Sequence, residues 1–450
     1  MPSSKEAFLD EPARRTPLLD EVDVVVLGGG PAGIAAATCA ARAGASTLLI
    51  ERYGFLGGMG TAAGVTNFCG LYANVHGDIR RVVHGIADEL LARIEALGGL
   101  SAPHLIFGKT RAQAYDMSAY KCAADDLLLA SGAKLLFHAQ AVGVAMKHER
   151  EIDALLIETR SGRRALRARV FIDASGDGDL AAFAGAPWEK SAHLFYPTLM
   201  FKLNGVDAEK AKHAVEDIPR LMREAEASRA YRFARMGAIV RPMKNPSEWR
   251  ANVTQIRNRQ GLAMDGTDAA QLSAGEIEGR RQIRDYICFL RERVPGFEAS
   301  TVSDIAPQVG IRETRRVTGE YLLSGEDVLE CRDFADSIGV NGWPLEQHFA
   351  GDVHWSWPQI PESRGFNQLP YRMILPLRID NLLVAGRCAS MTQAGQSAAR
   401  VTGGCFVMGQ AAGAAAAMAF AQNLKPREID VKSLQARLER DGAYLGRDVT

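Results

Sequence analysis

The first clear pattern of apolar and polar positions lies between Val22 and Glu51. The apolar run VDVVVLG is followed by glycines, by small residues from Ala32 to Ala43, and by a second apolar run, STLLIE. Short continuous apolar runs of this kind are typical of strands that a parallel sheet buries on both faces. The pattern predicts a strand, a glycine turn, a helix and a second parallel strand.

Similar α/β patterning returns in residues 133–186 and 381–422, but residues 191–364 differ. That middle stretch offers an alternating strand at 198–203, an amphipathic helix at 275–294, and scattered aromatic and charged residues. A sheet domain interrupted by a second domain is the simplest account, since about 170 residues is an ordinary domain size. The predicted division comprises a loose tail (1–20), the sheet domain (21–190 and 365–425), an inserted α+β domain (191–364) and a C-terminal tail or helix (426–450).

The stretch from Ala398 to Gln422 is rich in Ala, Gly and Met and has no charge after Arg400. A membrane span is the least favoured reading, because Ala and Gly gain little from lipid. A buried helix is favoured, either purely structural or with a functional N-terminus near residues 401–404. The first turn of such a helix has N–H groups without intrahelical partners.

Charge and cysteine usage narrow the function classes. Lys plus Arg and Asp plus Glu both number 53, so no net field recruits nucleic acid or a membrane surface. The seven Cys form no CxxC pair, which predicts no metal site and no redox disulfide and suits a reducing compartment. The first twenty residues lack the apolar stretch of a signal peptide. We therefore expect a cytoplasmic protein.

The glycines after the first strand carry the clearest chemistry. Gly28, Gly30 and Gly33 have GxGxxG spacing, and Glu51 ends the second strand. In this context the glycines allow a tight turn, close approach of a pyrophosphate to the backbone, and close helix packing. The helix N-terminus then faces the phosphates, and the carboxylate can accept from a ribose hydroxyl. Together these features predict a Rossmann-like dinucleotide site.

Two remote segments favour a dinucleotide longer than NAD. In FIDASGDGD a buried strand runs into a glycine turn, with Asp179 placed as a helix N-cap. In LLVAGRCASMTQAGQSAARVTGG a strand ends at Ala385, turns at Gly386 and feeds the apolar helix. The first segment alone also fits an ordinary strand–turn–helix.

These segments, with ERYGFLGGMGT, GIRETRRVTGEYLLSGEDVL and LPYRMILPLRIDNLLVAGRCAS, resemble FAD-dependent oxidoreductases of the glutathione-reductase and fumarate-reductase-like fold. The resemblance runs from Asp23 to about Gln422 and implies an α/β, Rossmann-like FAD-binding domain with an inserted substrate domain. It implies FAD contacts at Gly28, Gly30, Pro31, Ala32 and Gly33 (pyrophosphate), Glu51 and Arg52 (ribose), Val142, Ala174, Ser175 and Gly176 (adenine end), Gly58, Met59, Gly60 and Thr61 (beside the isoalloxazine), Gly386 and Arg387 (ribityl or phosphate), and Arg400 and Val401 (flavin pyrimidine edge).

The residues that act on a substrate are less clearly marked. Arg312, in IRETRR with Arg315 and Arg316, could clamp a substrate carboxylate, or all three could pair with Glu313 and neighbouring acids.

His193 and His354 lie among aromatic residues and are candidates for proton transfer, and His348 belongs to a segment that matches the family; each also fits a structural histidine. Tyr371 either faces the flavin ring or packs at a domain joint. Gln393 stands where relatives often carry a His, and an amide is neither an acid nor a base near neutral pH.

We expect a FAD enzyme that moves a hydride between flavin N5 and a small organic substrate, by dehydrogenation or by C=C reduction. A monooxygenase using NAD(P)H and O2, a tRNA-modifying flavoprotein and an idle flavin-binding subunit are alternatives. The neutral charge and the short C-terminal segment disfavour the tRNA enzyme. The substrate, the direction of reaction, the electron acceptor or donor and the oligomeric state stay open, with a homo-oligomer among the options.

Overall fold

A computed structural model describes residues 9–237 and 239–447 of the chain. Its strands are β1 (Leu18–Leu27), β2 (Thr47–Ile50), β3 (Asn67–Phe68), β4 (Tyr72–Val75), β5 (Asp78–Arg81), β6 (Leu100–Ile106), β7 (Thr110–Tyr115), β8 (Lys134–Leu136), β9 (Gln140–His148), β10 (Glu151–Thr159), β11 (Gly162–Asp173), β12 (Trp188–Glu189), β13 (Phe201–Asn204), β14 (Ile239–Pro242), β15 (Trp249–Asn252), β16 (Thr301–Ile305), β17 (Arg316–Val317), β18 (Ser337–Asn341), β19 (Leu345–His348), β20 (Val353–Ser356), β21 (Asn367–Pro370) and β22 (Leu382–Val384). Its helices are α1 (Pro31–Arg42), α2 (Met59–Ala62), α3 (Ile86–Ala96), α4 (Met117–Ala130), α5 (Asp179–Phe183), α6 (Ala208–Ala214), α7 (Ile218–Ala227), α8 (Ala269–Arg293), α9 (Gly325–Leu329), α10 (Gln393–Ala399), α11 (Thr402–Gln422) and α12 (Val431–Arg440), with single 3₁₀ turns at Val215–Asp217, Tyr371–Ile374 and Pro426–Glu428.

The main sheet has the order β8-β2-β1-β11-β10-β9, and β22 joins the carboxyl-terminal half of β11. Strands β8, β2, β1, β11 and β22 run parallel, whereas β10 and β9 form an antiparallel meander. Because parallel strands end at the same edge of a sheet, the loops after β1, β2, β11 and β22 converge. The α/β fold predicted from the apolar runs is present.

The apolar stretch of the sequence forms α11, which packs directly on α1. A Cβ added at Gly409 would lie 2.1 Å from the Ala32 carbonyl oxygen, and one at Gly413 would lie 2.2 Å from that of Ala36. The small residues therefore let two helix backbones approach closely. This helix is long and apolar enough to cross a membrane, yet 78% of its most apolar window is buried inside the molecule. Such burial is typical of a core helix.

The inserted region has a hydrophobic core of its own, with members from Leu199 to Ile311. A four-stranded antiparallel sheet, in the order β14-β15-β13-β16, packs with the helices α6, α7 and α8. Later parts of the predicted insert return to the main core, where Val317, Ile338 and Val340 are buried. The second core is thus shorter than the predicted 191–364, and those domain boundaries stay a prediction.

Several local predictions need adjustment. β1 begins at Leu18, so the last residues of the predicted tail pair with the main sheet, and residues 1–8 of that tail lie outside the described residues. Strand β13 begins at Phe201 rather than at Thr198, which makes only an isolated bridge to Gly310. Asp179 is not the N-cap of α5: Gly178 holds that position in a left-handed conformation, which a glycine adopts without strain.

Candidate functional site

One long cavity runs along the carboxyl edge of the main sheet and continues against the inserted sheet. The part formed by the loops after β1, β2, β11 and β22 is called the cofactor end below. Most residues predicted to contact FAD line the cavity, namely Gly28, Gly30, Pro31, Ala32, Glu51, Arg52, Gly58, Met59, Gly60, Ala174, Ser175, Gly176, Gly386, Arg387, Arg400 and Val401. The sheet edge therefore brings together segments that are hundreds of residues apart in sequence.

The glycine turn after β1 fits a bound pyrophosphate. Gly28 has φ +103°, and a Cβ there would lie 2.4 Å from the carbonyl oxygen of Ala174. At Gly30 the nearest atom to an added Cβ is the Cα of Gly58, 3.7 Å away, so this glycine borders open space. Helix α1 follows with Pro31 in its first turn and no side-chain cap. An uncapped helix end beside an open glycine turn is the arrangement that receives phosphate oxygens.

Three predicted contacts are absent from the cavity wall. Gly33 serves packing, since a Cβ there would lie 1.7 Å from the carbonyl oxygen of Gly28. The hydroxyl of Thr61 donates to the Leu56 carbonyl at 2.6 Å and is buried. Val142 lies one residue beyond the lining residues Gln140 and Ala141.

Carboxylates hold the loops of the cofactor end in place. Glu51 accepts from the N–H of Gly29 at 2.7 Å and from the N–H of Tyr53 at 3.0 Å, which fixes it beside the glycine turn. Asp173, at the end of β11, accepts from the N–H of Ser175 at 3.0 Å and of Ala181 at 2.9 Å. Burial raises the pKa of Asp173 to about 6. The ribose contact predicted for Glu51 stays a prediction.

Asp177, which the sequence reading did not single out, positions the predicted cofactor ligand Arg387. Its Oδ1 accepts from Arg387 Nη2 at 2.9 Å and from the Thr314 hydroxyl at 2.9 Å, and Arg52 lies 3.7 Å from its Oδ2. Burial opposes ionisation of Asp177, but Arg387 and Arg52 hold its pKa below the ordinary value. The SGDGD segment, which contains Asp177, is the sequence feature from which this residue could have been identified.

The N-terminus of α11 reaches the same cavity. Val401 is its N-cap residue, without a side-chain cap, and Thr402 lines the cavity. The neighbouring Arg400 is half-buried, and its Nε and Nη2, both shielded from solvent, have no hydrogen-bond partner among the described residues. Unpaired buried donors beside a cavity indicate a polar group that binds there.

The rest of the cavity, called the chamber below, is lined by strands β14 and β15 of the inserted sheet and by separate segments within residues 67–107, 200–312 and 343–355. Its residues are Asn67, Ile106, Phe107, Met200, Arg241, Arg250, Asn252, Ile311, Arg312, Trp343, Glu346, His348 and Trp355. Of the four residues predicted to be catalytic, Arg312 alone lines this cavity. Its Nη1 donates to the Tyr196 carbonyl at 2.7 Å and to the Thr198 hydroxyl at 2.8 Å. Burial and then Arg400 lower the pKa of Arg312 to about 9, so it stays a cation at neutral pH.

The other three predicted catalytic residues lie elsewhere. His354 is exposed on β20, because alternation along this strand points Trp355 inward and His354 outward. The Tyr371 hydroxyl donates to the Pro426 carbonyl at 2.8 Å inside the main core. Gln393 donates to the His193 carbonyl and to Glu313 Oε2, both at 2.7 Å. None of the three lines the cavity, and their catalytic roles stay predictions.

The other two arginines of the IRETRR segment are paired with carboxylates, which is the alternative to a substrate clamp given in the sequence analysis. Arg315 donates to Asp179 at 2.9 Å, and Arg316 is bonded to Glu313 and to Glu189.

His348 and Glu346 form the main titratable pair of the chamber. His348 Nε2 lies 3.1 Å from Glu346 Oε1, and Trp343 Nε1 donates to Glu346 Oε2 at 2.9 Å. Burial and then Arg312 lower the pKa of His348 to about 3, so the ring is neutral. Burial disfavours the charged form of Glu346, but the His348 hydrogen bond and nearby positive charge bring its pKa to about 2. The carboxylate is therefore ionised and can only accept, which places the imidazole proton on Nε2.

Comparison with solved structures returns distant matches. A geranylgeranyl bacteriochlorophyll reductase-like protein from Thermoplasma acidophilum is 15% identical, with a TM-score of 0.48, covering 94% of this chain and 83% of its own. The p-nitrophenol 4-monooxygenase PnpA from Pseudomonas putida is 12% identical, with a TM-score of 0.44 and coverages of 93% and 84%. The myxobacterial halogenase CndH is 13% identical, with a TM-score of 0.45 and coverages of 94% and 79%. These likenesses are too distant to assign a reaction.

No curated protein sequence matches the chain. The model of the family described as FAD dependent oxidoreductase matches residues 23–438, nearly the whole chain. The protein therefore belongs to the FAD dependent oxidoreductase family and is an enzyme that uses FAD as its cofactor.

Proposed function

We propose that the enzyme transfers a hydride between flavin N5 and a small organic substrate held in the chamber. The observation that carries this proposal is the continuity of the cavity. The loops of the main sheet line one part, and residues of the inserted sheet such as Arg241, Arg250 and Asn252 line the rest. A cofactor bound at the cofactor end and a substrate bound in the chamber would therefore share one cavity.

FAD supplies the hydride chemistry, and the protein supplies binding, orientation and proton handling. Arg312, fixed by two hydrogen bonds and charged at neutral pH, orients the substrate. His348 holds its proton on Nε2 against Glu346, which leaves Nδ1 as the basic atom of a neutral imidazole. We propose His348, in place of His354 and Gln393, as the proton-transfer group, because it alone of these three lines the cavity.

Anaerobic reduction of the bound flavin tests the reaction class. The purified holoenzyme is mixed with 2-hydroxy acids, amines and alcohols, and separately with NADH and NADPH, while the flavin absorbance is followed. The same panel is repeated with dithionite-reduced enzyme and α,β-unsaturated acids and amides, so that reduction of C=C bonds is also covered. Exchange of electrons with an organic compound at a rate that saturates with its concentration is the expected result.

The outcome that contradicts the proposal is equally concrete. If the nicotinamides alone reduce the flavin, and O2 is then consumed in step with a hydroxylated product, the enzyme is a monooxygenase. His354→Ala serves as the control variant, because His354 is exposed and outside the cavity. It should reduce at the wild-type rate, whereas His348→Gln should reduce more slowly.

A further inference from the structure

The chamber contains an excess of positive charge, since Arg250 and Arg312 are buried and Arg241 is half-buried. Arg241, Arg250 and Arg312 line the chamber, and Arg400 lines the cavity beside the start of α11. Among the described residues none of these four lies within ion-pair distance of a carboxylate. Within the part of the chain that the structure describes, the chamber is lined by one carboxylate, Glu346, whose oxygens are held by His348 and Trp343. A buried charge without a counter-ion is costly, so such an excess indicates a missing anion.

Two of these arginines form a direct pair across the inserted sheet. Arg241 on β14 stands opposite Arg250 on β15 in the antiparallel register. Like charges directly opposite each other destabilise a strand pair. The same face carries Ile239 and Asn252, also opposite each other, and all four side chains line the cavity. The sheet thus presents two cations to the cavity at one point.

The partners of this pair are neutral acceptors that leave its charge uncompensated. Arg241 Nη1 lies 2.9 Å from His104 Nε2, and burial together with Arg241 lowers the pKa of His104 to about 4, so that the imidazole is neutral. Arg250 Nη1 donates to the Val65 carbonyl at 2.8 Å. Its Nη2 lies 3.2 Å from the side-chain oxygen of Asn67, once that amide is oriented to satisfy its neighbours. Carbonyls and a neutral ring orient the guanidinium groups without cancelling their charge.

The rest of the chamber wall is apolar. Trp343 and Trp355 pack edge to face with ring centroids 5.8 Å apart, and Phe107 packs on Trp355 at 5.2 Å. Phe107 is 66% exposed, so this aromatic cluster extends from the chamber to the surface of the protein. A ligand that fits both features carries a negative group at one end and an apolar body.

We propose that Arg241 and Arg250 form an anion subsite that binds the carboxylate of the organic substrate, with its apolar body against Trp343 and Trp355. Guanidinium groups match the two oxygens of a carboxylate with paired hydrogen bonds. A bound carboxylate relieves the repulsion between the two cations. Much of the binding energy therefore comes from this end of the substrate. This inference rests on the proposed function, since it names the substrate class of the same chamber.

Binding to the oxidised holoenzyme tests the inference without requiring turnover. Benzoate, phenylacetate and octanoate are titrated in parallel with their neutral amides, and binding is followed by changes in flavin absorbance and in tryptophan fluorescence. We expect at least one carboxylate to bind about tenfold or more tightly than its amide. If no carboxylate is preferred over its amide, the inference is overturned.

Variants then locate the subsite. Arg250→Met and Arg241→Met should each weaken carboxylate binding about tenfold or more while amide binding and FAD content stay at wild-type values. Arg241 is only half-buried, so its variant decides the question if Arg250→Met does not fold. Arg284→Met is the matched control, because Arg284 is exposed on α8. Wild-type carboxylate affinity in the Arg241 variant would overturn the assignment.

Failure of this inference differs from failure of the proposed function. Flavin reduction by amines or neutral alcohols, with no preference for carboxylates, upholds the proposed function and overturns the anion subsite. Selective carboxylate binding, in an enzyme whose flavin exchanges electrons with none of the organic compounds, upholds the subsite and overturns the proposed hydride transfer.

Discussion

The cofactor end and the chamber differ in how their arginines are paired. At the cofactor end, Asp177 bonds to Arg387 and lies near Arg52, so these cations are held by a carboxylate of the chain itself. In the chamber, Arg241 and Arg250 face each other with neutral partners. A resident cofactor benefits from a site that is complete before it binds, whereas a substrate can bring the missing charge with it. The contrast therefore separates the permanent ligand from the exchangeable one.

The largest effect is expected at the glycine turn of the cofactor end. In Gly33→Ala the new Cβ would lie 1.7 Å from the Gly28 carbonyl oxygen, so the turn and α1 must separate. We expect the variant to lose about 90% or more of its FAD, since a cofactor site tolerates little displacement of its backbone. The flavin-to-protein absorbance ratio measures this. Gly143→Ala is the control, because its Cβ would meet only Leu156 Cδ1, at an ordinary 3.8 Å.

Asp177→Asn removes the carboxylate that pairs with Arg387, so that this arginine, like those of the chamber, keeps only neutral partners. The substitution leaves Arg387 buried beside a neutral amide, and we expect it to cost about 3 kcal/mol in the free energy of unfolding. Urea denaturation of the holoenzyme measures the loss. Asp153→Asn removes a more exposed partner, that of Arg167, and should cost less than about 1 kcal/mol. Equal costs at the two sites would contradict the view that the buried pair completes the cofactor end.

The cofactor end could be predicted from sequence because its residues follow strands in short continuous motifs. Gly28 to Gly33, Ala174 to Gly176 and Gly386 with Arg387 each stand directly after an apolar run, and parallel strands bring such ends to one edge. Asp177 was missed although it lies within the same motif. Its pairing with Arg387 depends on two loops that are 210 residues apart.

The chamber could not be predicted in the same way, because its residues come from separate segments that meet only through packing. Arg250 and Asn252 alternate on a strand of four residues, too short a pattern to show which face is buried. The aromatic surroundings of His354 were misleading, since alternation in VHWS places His354 and Trp355 on opposite faces. Tyr371 was considered for catalysis because the LPYR segment leads into the returning strand and could face the flavin ring, yet its hydroxyl is used within the core.

His348, in the chamber, makes the free energy of unfolding depend on pH in the acid range. Its pKa falls from 6.5 to about 3 on folding, so between these values the unfolded chain binds a proton that the folded chain does not. Stability from this residue is therefore present above pH 6.5 and is lost as the pH falls toward 3. The loss between pH 7 and pH 5 amounts to about 2 kcal/mol.

The variant His348→Gln removes this titration. Urea unfolding at pH 7 and pH 5 should show a smaller loss on acidification in the variant than in the wild-type protein. Glu346, with its pKa of about 2 against an ordinary 4.5, loses its contribution at lower pH, between about 4.5 and 2, and so does not obscure the comparison. An identical loss in both proteins would show that His348 titrates normally in the folded enzyme.

The smallest effect is expected from Tyr371→Phe, which tests whether this residue belongs to the core or to the chemistry. The change removes the hydroxyl that donates to the Pro426 carbonyl at 2.8 Å, and it should cost about 1 kcal/mol in the free energy of unfolding. Flavin reduction by the substrate should proceed at the wild-type rate, because Tyr371 is outside the cavity lining. Slower reduction with unchanged stability would instead restore the chemical role that the sequence suggested, and would require Tyr371 to reach the flavin by a rearrangement of the core.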